Sequence, residues 1–199
     1  MVADILGCAQ SMGQDLQVVG FIDDDKRLWG KEVGGICVRC GTSGIGGLPH
    51  DGVIVGIGDN ETRKAIFERM TGLGERLIIA RHPDSTIARG VQIAPGTMIC
   101  AGVRINPGAT IGTNVILNTG CTIDHHNVIG CHVHIAPGVH LGGDVEIGDC
   151  SLIGIGASVK PGMRIGKSVT VGAGSVIIHD IPDHQTVAGV PARPIARRK

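Results

Sequence analysis

The chain has 199 residues, and its 18 lysines and arginines balance 18 aspartates and glutamates, so the formal net charge is zero. Without net charge there is no bulk field to attract nucleic acid or an anionic membrane. No apolar run is long enough to span a bilayer, and no basic n-region with an apolar h-region opens the chain, so neither a membrane segment nor a signal peptide is expected. Two Phe, one Trp and no Tyr disfavour a thick core, whereas 33 glycines indicate many tight turns.

Seven scattered cysteines, an odd number, favour a reducing cytosol in which most thiols act as small core residues. Cys37 and Cys40 form a lone CxxC without a second pair, so we expect ordinary thiols rather than a metal or redox site. A group of cations near the C-terminus is expected to form a solvated tail or, as the alternative, an anion contact: Arg193, Arg197, Arg198 and Lys199.

Residues 1–84 alternate between strand-like and helix-like patterns. Apolar runs at 17–22, 52–57 and 77–80 predict strands, and residues 61–70 predict a helix. This alternation indicates a small, Rossmann-like parallel α/β domain. Ligands of such sheets bind beyond the carboxyl ends of the strands, which here points to Asp23, Asp24 and Gly58. The glycine-rich residues 41–47 run into a proline, so they predict a loop and no phosphate-binding helix.

A six-residue repeat fills residues 85–180 and predicts the second domain. Sixteen successive positions from Ile87 to Ile177 are all aliphatic, and the positions two residues before them are mostly small or β-branched. Residues two apart lie on the same side of a strand, so each hexad reads as a short strand plus a turn. Hexapeptide repeats of this kind are typical of a parallel β-helix of about five triangular coils. Residues 181–199 are left as a C-terminal tail.

The corners of this predicted prism follow each aliphatic position by two and three residues. Pro-Gly occurs at four corners, Ala-Gly at two and Thr-Gly at one, because glycine tolerates the positive φ of a tight corner. One corner instead holds His125 and His126. Histidine is among the non-glycine residues best tolerated at positive φ, so His126 suits the backbone while His125 is expected on an exposed edge.

Five segments in this order resemble a bacterial family, the nucleotide-sugar acetyltransferases of the sialic-acid O-acetyltransferase and UDP-4-amino-sugar N-acetyltransferase group (NeuD/PglD-type). They are "GFIDDD" (20–25), "GIGDNETRK" (56–64), "LNTGCTIDHHNVIG" (117–130), "HIAPGVHLGG" (134–143) and "VAGVPAR" (187–193). The resemblance covers nearly the whole chain. It implies a left-handed winding of the β-helix and a cytoplasmic homotrimer with active sites between subunits.

The resemblance also implies the roles of individual residues. His125 would be the general base that takes a proton from the acceptor as it attacks acetyl-CoA, with a sugar nucleotide held by the N-terminal domain. Asn118 matches a residue near the acceptor nitrogen, and His134 one beside the acetyl carbonyl. The groove for CoA would be lined by Gly143, Ile155, Gly172, Ala173 and Gly174.

Two departures from the family pattern stand out. The family usually follows its catalytic histidine with an acid, which here is His126; Asp124 or an acid from a neighbouring subunit is a possible substitute. The chain opens at "MVADIL", which looks like the middle of the helix after the first strand and its glycine-rich phosphate turn. We expect a truncated or misassigned start, with a different acceptor as the alternative.

N-acetylation of a nucleotide-linked 4-amino-4,6-dideoxy sugar is the favoured function, and O-acetylation of sialic acid or another glycan precursor is the alternative. A metal site like that of β-helical carbonic anhydrases would need ligands about 18 residues apart, and among the histidines only His132 finds one, in Cys150. No metal is therefore predicted. A non-catalytic scaffold is the third possibility. His132 and His140 are expected to be surface groups.

Overall fold

The computed structural model describes residues 1–13 and 15–195. Most of the predicted basic tail, namely Arg197, Arg198 and Lys199, therefore lies outside the described residues. The chain folds into two parts, a small α/β domain and a long stack of two-residue strands. In the described residues no helix is long and apolar enough to cross a membrane.

The N-terminal domain contains two helices and three short strands. Their bounds are α1 Val2–Ser11, β1 Phe21–Ile22, β2 Glu32–Val33, β3 Ile36–Cys40 and α2 Asn60–Gly72, with 3₁₀ turns at Lys26–Leu28 and Thr42–Gly47. Strand β3 pairs in parallel with β1 and antiparallel with β2. The two other predicted strands meet at one parallel bridge, between Val53 and Leu77. The predicted loop at 41–47 is thus partly a 3₁₀ helix, which still ends before Pro49 and forms no α-helix.

Helix α2 begins where the sequence supplies a cap. The Asp59 carboxylate accepts hydrogen bonds from the backbone N–H of Thr62 (2.8 Å) and from its hydroxyl (2.6 Å). Such a cap satisfies an N–H that has no partner within the helix. Glu61 in the first turn and Arg69 in the last complement the helix dipole.

The second domain is a parallel β-helix with three sheets. Up to Ile177, successive strands take successive sheets, and neighbouring strands of one sheet pair at a spacing of 18 residues, as Leu117 pairs with Ile135. The strands are β4 Ala80–Arg81, β5 Thr86–Ile87, β6 Gln92–Ile93, β7 Met98–Ile99, β8 Arg104–Ile105, β9 Thr110–Ile111, β10 Ile116–Leu117, β11 Thr122–Ile123, β12 Val128–Ile129, β13 His134–Ile135, β14 His140–Leu141, β15 Glu146–Ile147, β16 Leu152–Ile153, β17 Ser158–Val159, β18 Arg164–Ile165, β19 Thr170–Val171, β20 Val176–Ile177, β21 Thr186–Ala188 and β22 Arg193–Pro194.

Three columns of strands make up the prism. The eight-stranded sheet runs from β4 through β7, β10, β13, β16, β19 and β21 to β22. The six-stranded sheet contains β5, β8, β11, β14, β17 and β20, and the five-stranded sheet contains β6, β9, β12, β15 and β18. A corner between a strand and its successor therefore always lies on one of three edges of the prism.

The aliphatic hexad positions fill the interior, as the repeat predicts. From Ile99 to Ile177 these side chains are buried, whereas Ile87 and Ile93 in the first coil are only partly buried. Full burial of one such side chain stabilises the fold by roughly 1.5–3 kcal/mol. The core of this domain is therefore a thin aliphatic column that needs no aromatic residue.

The prism extends past both predicted bounds, 85 and 180. On the N-terminal side Arg81 occupies the hexad position, pairs with Ile99 and hydrogen-bonds Ser85, so the aliphatic series begins one strand late. On the C-terminal side Val187 pairs with Val171, a spacing of 16 residues, so the strict period ends before the sheet does.

Candidate active site

The histidine pair lies on an outer edge of the prism, at the corner between β11 and β12. His126 has φ +57°, as its position predicts, and both histidines are exposed. Asn127 behind them is fully buried, and its side chain donates to the Asp124 carbonyl (2.9 Å) and accepts from the Val145 N–H (2.6 Å). This buried amide ties the corner to the next coil and holds both imidazoles toward solvent.

The two imidazoles contact one another directly. Their Nδ1 atoms lie 3.0 Å apart, and the rings meet edge to face. The carboxylate of Asp144, on the corner one coil further on, lies 4.0 Å from Nδ1 of His125. Since Nδ1 of His125 faces His126, its Nε2 is the ring nitrogen left for a substrate.

Two glycines provide flat surfaces for the two rings. A Cβ at Gly143 would overlap the imidazole of His125, and one at Gly108 would overlap that of His126. Gly143, which the family resemblance placed in the CoA groove, thus lies directly against the expected base. Any side chain larger than hydrogen would displace the ring.

Asp124 was one expected substitute for the missing acid, but its carboxylate has other partners. It accepts hydrogen bonds from Asn106 Nδ2 (2.7 Å) and from the backbone N–H of His125 (2.8 Å). These bonds, the one from Asn106 first, hold the pKa of Asp124 below its ordinary value. Asp124 therefore supports the backbone of the corner, and the carboxylate near the ring is that of Asp144.

A second group of predicted residues gathers where the two domains meet. His134 Nε2 lies 3.3 Å from Asn118 Nδ2, and its Nδ1 lies 3.3 Å from the Gly58 carbonyl oxygen. Because that oxygen only accepts, Nδ1 donates to it and Nε2 accepts from Asn118. Burial, followed by the charge of Arg63, lowers the pKa of His134. The imidazole is thus held neutral beside the predicted acceptor residue.

Arg63 joins the two domains and was not singled out from the sequence. Its side chain is 1% exposed, and burial lowers its pKa to about 10. The guanidinium donates to carbonyls of both domains, those of Ile57, Gly58, Asn114, His132 and Val133, and to the side chain of Asn60. Through Gly58 this buried cation fixes the loop that contacts His134.

The prediction that His132 is a surface group is wrong. The ring is 9% exposed, bonds Asn114 Nδ2 through Nδ1 (2.8 Å) and meets Phe67 edge to face. Burial, more than nearby positive charge, lowers its pKa. The cause is α2, which covers this corner and which the repeat alone does not reveal. His140 is exposed, as predicted.

Asp23 and Asp24, predicted to bind the sugar nucleotide, have local partners in the structure. The Asp24 carboxylate accepts from the N–H (2.7 Å) and hydroxyl (2.9 Å) of Thr42, and Asp23 accepts from the N–H of Asp25 (2.8 Å). The bonds from Thr42 lower the pKa of Asp24. Both side chains thus shape the end of β1, whereas Gly58 lies with His134.

Four of the predicted CoA residues lie on a different edge from the histidine pair, namely Ile155, Gly172, Ala173 and Gly174. Ile155, 61% exposed, is stacked on the corner formed by residues 172–174, and its carbonyl accepts from the Gly174 N–H (2.7 Å). That edge joins the eight- and six-stranded sheets, and Asn118 begins a corner on the same edge. His125 and Gly143 lie on the edge between the six- and five-stranded sheets. One chain therefore divides the predicted site between two edges.

One cluster has the composition of a metal site. Ligand atoms of His125, His126 and Asp144 lie within 4.8 Å of one another. The 18-residue step from His126 leads to Asp144, so the expectation that only His132 and Cys150 form such a pair was wrong. All seven cysteines, including Cys37 and Cys40, are free thiols.

Comparisons with known proteins bear on the whole chain. Residues 1–70 match the family model described as PglD N-terminal domain. The comparison with curated proteins gave no match. The acetyltransferase domain of PglB from Neisseria gonorrhoeae is 35% identical, with a TM-score of 0.88 over 96% of this chain and 93% of that one. PerB from Caulobacter crescentus, in complex with CoA and GDP-perosamine, is 31% identical, with a TM-score of 0.91 over 98% and 91%. WeeI from Acinetobacter baumannii is 26% identical, with a TM-score of 0.87 over 97% and 94%.

The likeness to these acetyltransferase structures runs along nearly the whole chain, so the chain is an acetyltransferase. More particularly, the chain belongs to the PglB/PglD-type family of nucleotide-sugar acetyltransferases. The resemblance drawn from five sequence segments is thereby confirmed, because the likeness extends over both domains.

Proposed function

We propose that the protein transfers the acetyl group of acetyl-CoA to the amino group of a nucleotide-linked 4-amino-dideoxy sugar. The observation that supports this proposal most directly is the exposed His125 imidazole, which turns Nδ1 toward His126 and leaves Nε2 for a substrate. Two relatives support the choice of substrates: the PglB domain was solved with acetyl coenzyme A, and PerB with CoA and GDP-perosamine. Both match this chain over more than nine-tenths of its length.

In the proposed reaction the sugar amine attacks the thioester carbonyl of acetyl-CoA. His125 Nε2 takes the proton that the amine loses, a C–N bond forms, the C–S bond breaks, and CoA leaves as the thiol once it receives a proton. General base catalysis of this kind contributes roughly 10²–10⁴-fold. Asn118 is proposed to lie beside the acceptor and His134 beside the acetyl carbonyl. Their side chains lie 3.3 Å apart, so the two residues would act at the same place.

The division of the site between two edges supports a cyclic oligomer. If the edge with Ile155 of one subunit faced the edge with His125 of the next, a groove between them would hold CoA against the base. A trimer of this kind closes with three identical head-to-tail interfaces. We propose this homotrimer, with left-handed coils and sites between subunits, in the bacterial cytoplasm.

The test is CoA release from acetyl-CoA over a panel of UDP-, GDP- and dTDP-linked 4-amino sugars, with sialic acids included. Turnover of one amino sugar is expected, and His125→Ala should reduce it by about 10²–10⁴-fold. His140→Ala is the matched control, because His140 is an exposed histidine on a face of the prism and bonds only Thr122 among the described residues. Turnover of sialic acid alone, or full activity without His125, would contradict the proposal.

A further inference from the structure

We propose that Asp144 is the positioning residue for His125, acting from the next coil in place of an acid next to the histidine in sequence. The inference rests on the proposed role of His125 as the base. A base in such reactions is itself oriented by a third group, which holds its tautomer and stabilises the imidazolium that forms. His126 stands where the adjacent acid would be and cannot supply a negative charge, so the carboxylate must come from another residue.

The register of the β-helix fixes Asp144 over the histidine corner. The backbone N–H of Asp144 donates to the His125 carbonyl (3.0 Å), and φ of Asp144 is +57°, the same left-handed conformation as His126 one coil before. Gly143 leaves room for the ring between the two corners. The backbone therefore places Asp144 directly over the histidine corner, and its exposed carboxylate lies 4.0 Å from Nδ1 of His125.

The proton arrangement follows from the contact between the imidazoles. Two Nδ1 atoms 3.0 Å apart form one hydrogen bond, so one nitrogen carries the proton and the other accepts it. A carboxylate 4.0 Å from Nδ1 of His125 favours the proton on that nitrogen. His126 then accepts through its own Nδ1, and Nε2 of His125 is free to act as base. The opposite arrangement would place a proton on Nε2 and block the reaction.

Asp144 has a further effect after proton transfer. His125 becomes an imidazolium, and among the described residues the carboxylate within 4.0 Å of its ring nitrogens is that of Asp144. Unit charges about 4 Å apart interact by roughly 1 kcal/mol even in bulk water, which corresponds to about fivefold in rate. Exclusion of water by bound substrates would increase this factor. The groups that face the pair are His126, Asp124 and Asp144, and Asp124 is bound to Asn106 and to the backbone.

The test compares Asp144→Asn with Glu146→Gln, in wild-type and His125→Ala backgrounds. Asparagine tolerates positive φ, so the corner should fold unchanged. Glu146 is the matched control: it is exposed on β15, pairs with Arg164 at 3.4 Å and loses the same charge. For Asp144→Asn, kcat should fall at least about fivefold with KM for acetyl-CoA and the thermal midpoint unchanged.

Rescue distinguishes positioning from a merely structural role. His126→Asp, which places an acid directly after His125 at a backbone conformation that Asp tolerates, should restore kcat in the Asp144→Asn protein. If Asp144→Asn behaves like Glu146→Gln while His125→Ala is inactive, the inference is overturned and the proposed function stands. If Asp124→Asn, rather than Asp144→Asn, lowers kcat with KM unchanged, the inference is also overturned. If His125→Ala keeps full activity, the proposed base is wrong and the inference falls with it.

Discussion

Replacing Gly143 by alanine tests whether the position of the His125 ring controls turnover. Gly143 does not have a left-handed backbone, so alanine suits the corner, but its methyl group would overlap Cε1 and Nε2 of His125. Non-bonded carbon atoms need about 3.5–4.0 Å, so the ring must move by roughly 1 Å. A misplacement of that size costs on the order of 100-fold in rate. The ring is exposed and free to move, so the thermal midpoint should change by less than about 2 °C.

The assay follows CoA release at saturating acetyl-CoA and sugar nucleotide in four proteins: wild type, Gly143→Ala, His125→Ala and the double variant. Because the methyl group acts through the imidazole, Gly143→Ala should reduce kcat about 100-fold in the wild type and have almost no effect when His125 is absent. An equal loss in both backgrounds would refute the reasoning, since the glycine would then serve something other than the ring.

Four further outcomes are expected. Arg63→Met should lower the free energy of unfolding by about 3 kcal/mol, measured in urea, because buried carbonyls lose their donor, and should raise KM for the sugar nucleotide. His125→Ala and Ala173→Trp chains refolded together should recover about a quarter of wild-type activity if each site takes one edge from each of two subunits; no recovery would place the site within one chain. Hydrogen bonds with the Leu48 carbonyl and Glu75 raise the pKa of His50, so this contact stabilises fully below pH 6.5 and less as pH rises through the raised value; His50→Gln should flatten that dependence in denaturation curves. Treatment with EDTA should leave turnover unchanged, and restoration of lost activity by Zn²⁺ would instead assign a metal to the histidine corner.

The repeat predicted the β-helix because its interior admits few residue types. Every coil places an aliphatic side chain at the same depth, as at Ile99 and Leu117, so one period in the sequence fixes strands, register and core together. The prediction failed at both ends, where Arg81 caps the first coil and the spacing changes before Val187. At an end the next coil is absent on one side, so the constraint that creates the period is relaxed.

The placement of the candidate residues was predicted in part. The position of His125 within the repeat predicts that it lies on an exposed edge. The closeness of Asp144 to its ring is visible only when the coils are stacked and residue 143 is seen to leave room for the ring. Arg63 gave no signal, because an arginine on a polar helix normally faces water. Its burial depends on Asn114 and the neighbouring corner offering carbonyls to α2, a contact between domains that no periodicity within one domain can report.

The corners at which a residue has positive φ show where polar side chains are placed on this scaffold. Glycine fills most of them, and a residue with a side chain costs about 1–2 kcal/mol there, so its presence needs a compensating contact. His126 and Asp144 at φ +57° approach the His125 ring, and Asn114 and His132 at φ +56° and +59° bond one another beneath the domain junction. The strain alone is no proof of function, since Cys150, Ser168 and His184 share it. What separates the first four is a contact between side chains. Asn114 bonds His132 one coil on at the domain junction, and the carboxylate of Asp144 approaches the histidine corner from the next coil. The repeat thus supplies a place one coil on for a polar partner, and one such partner lies at the corner that carries the proposed base.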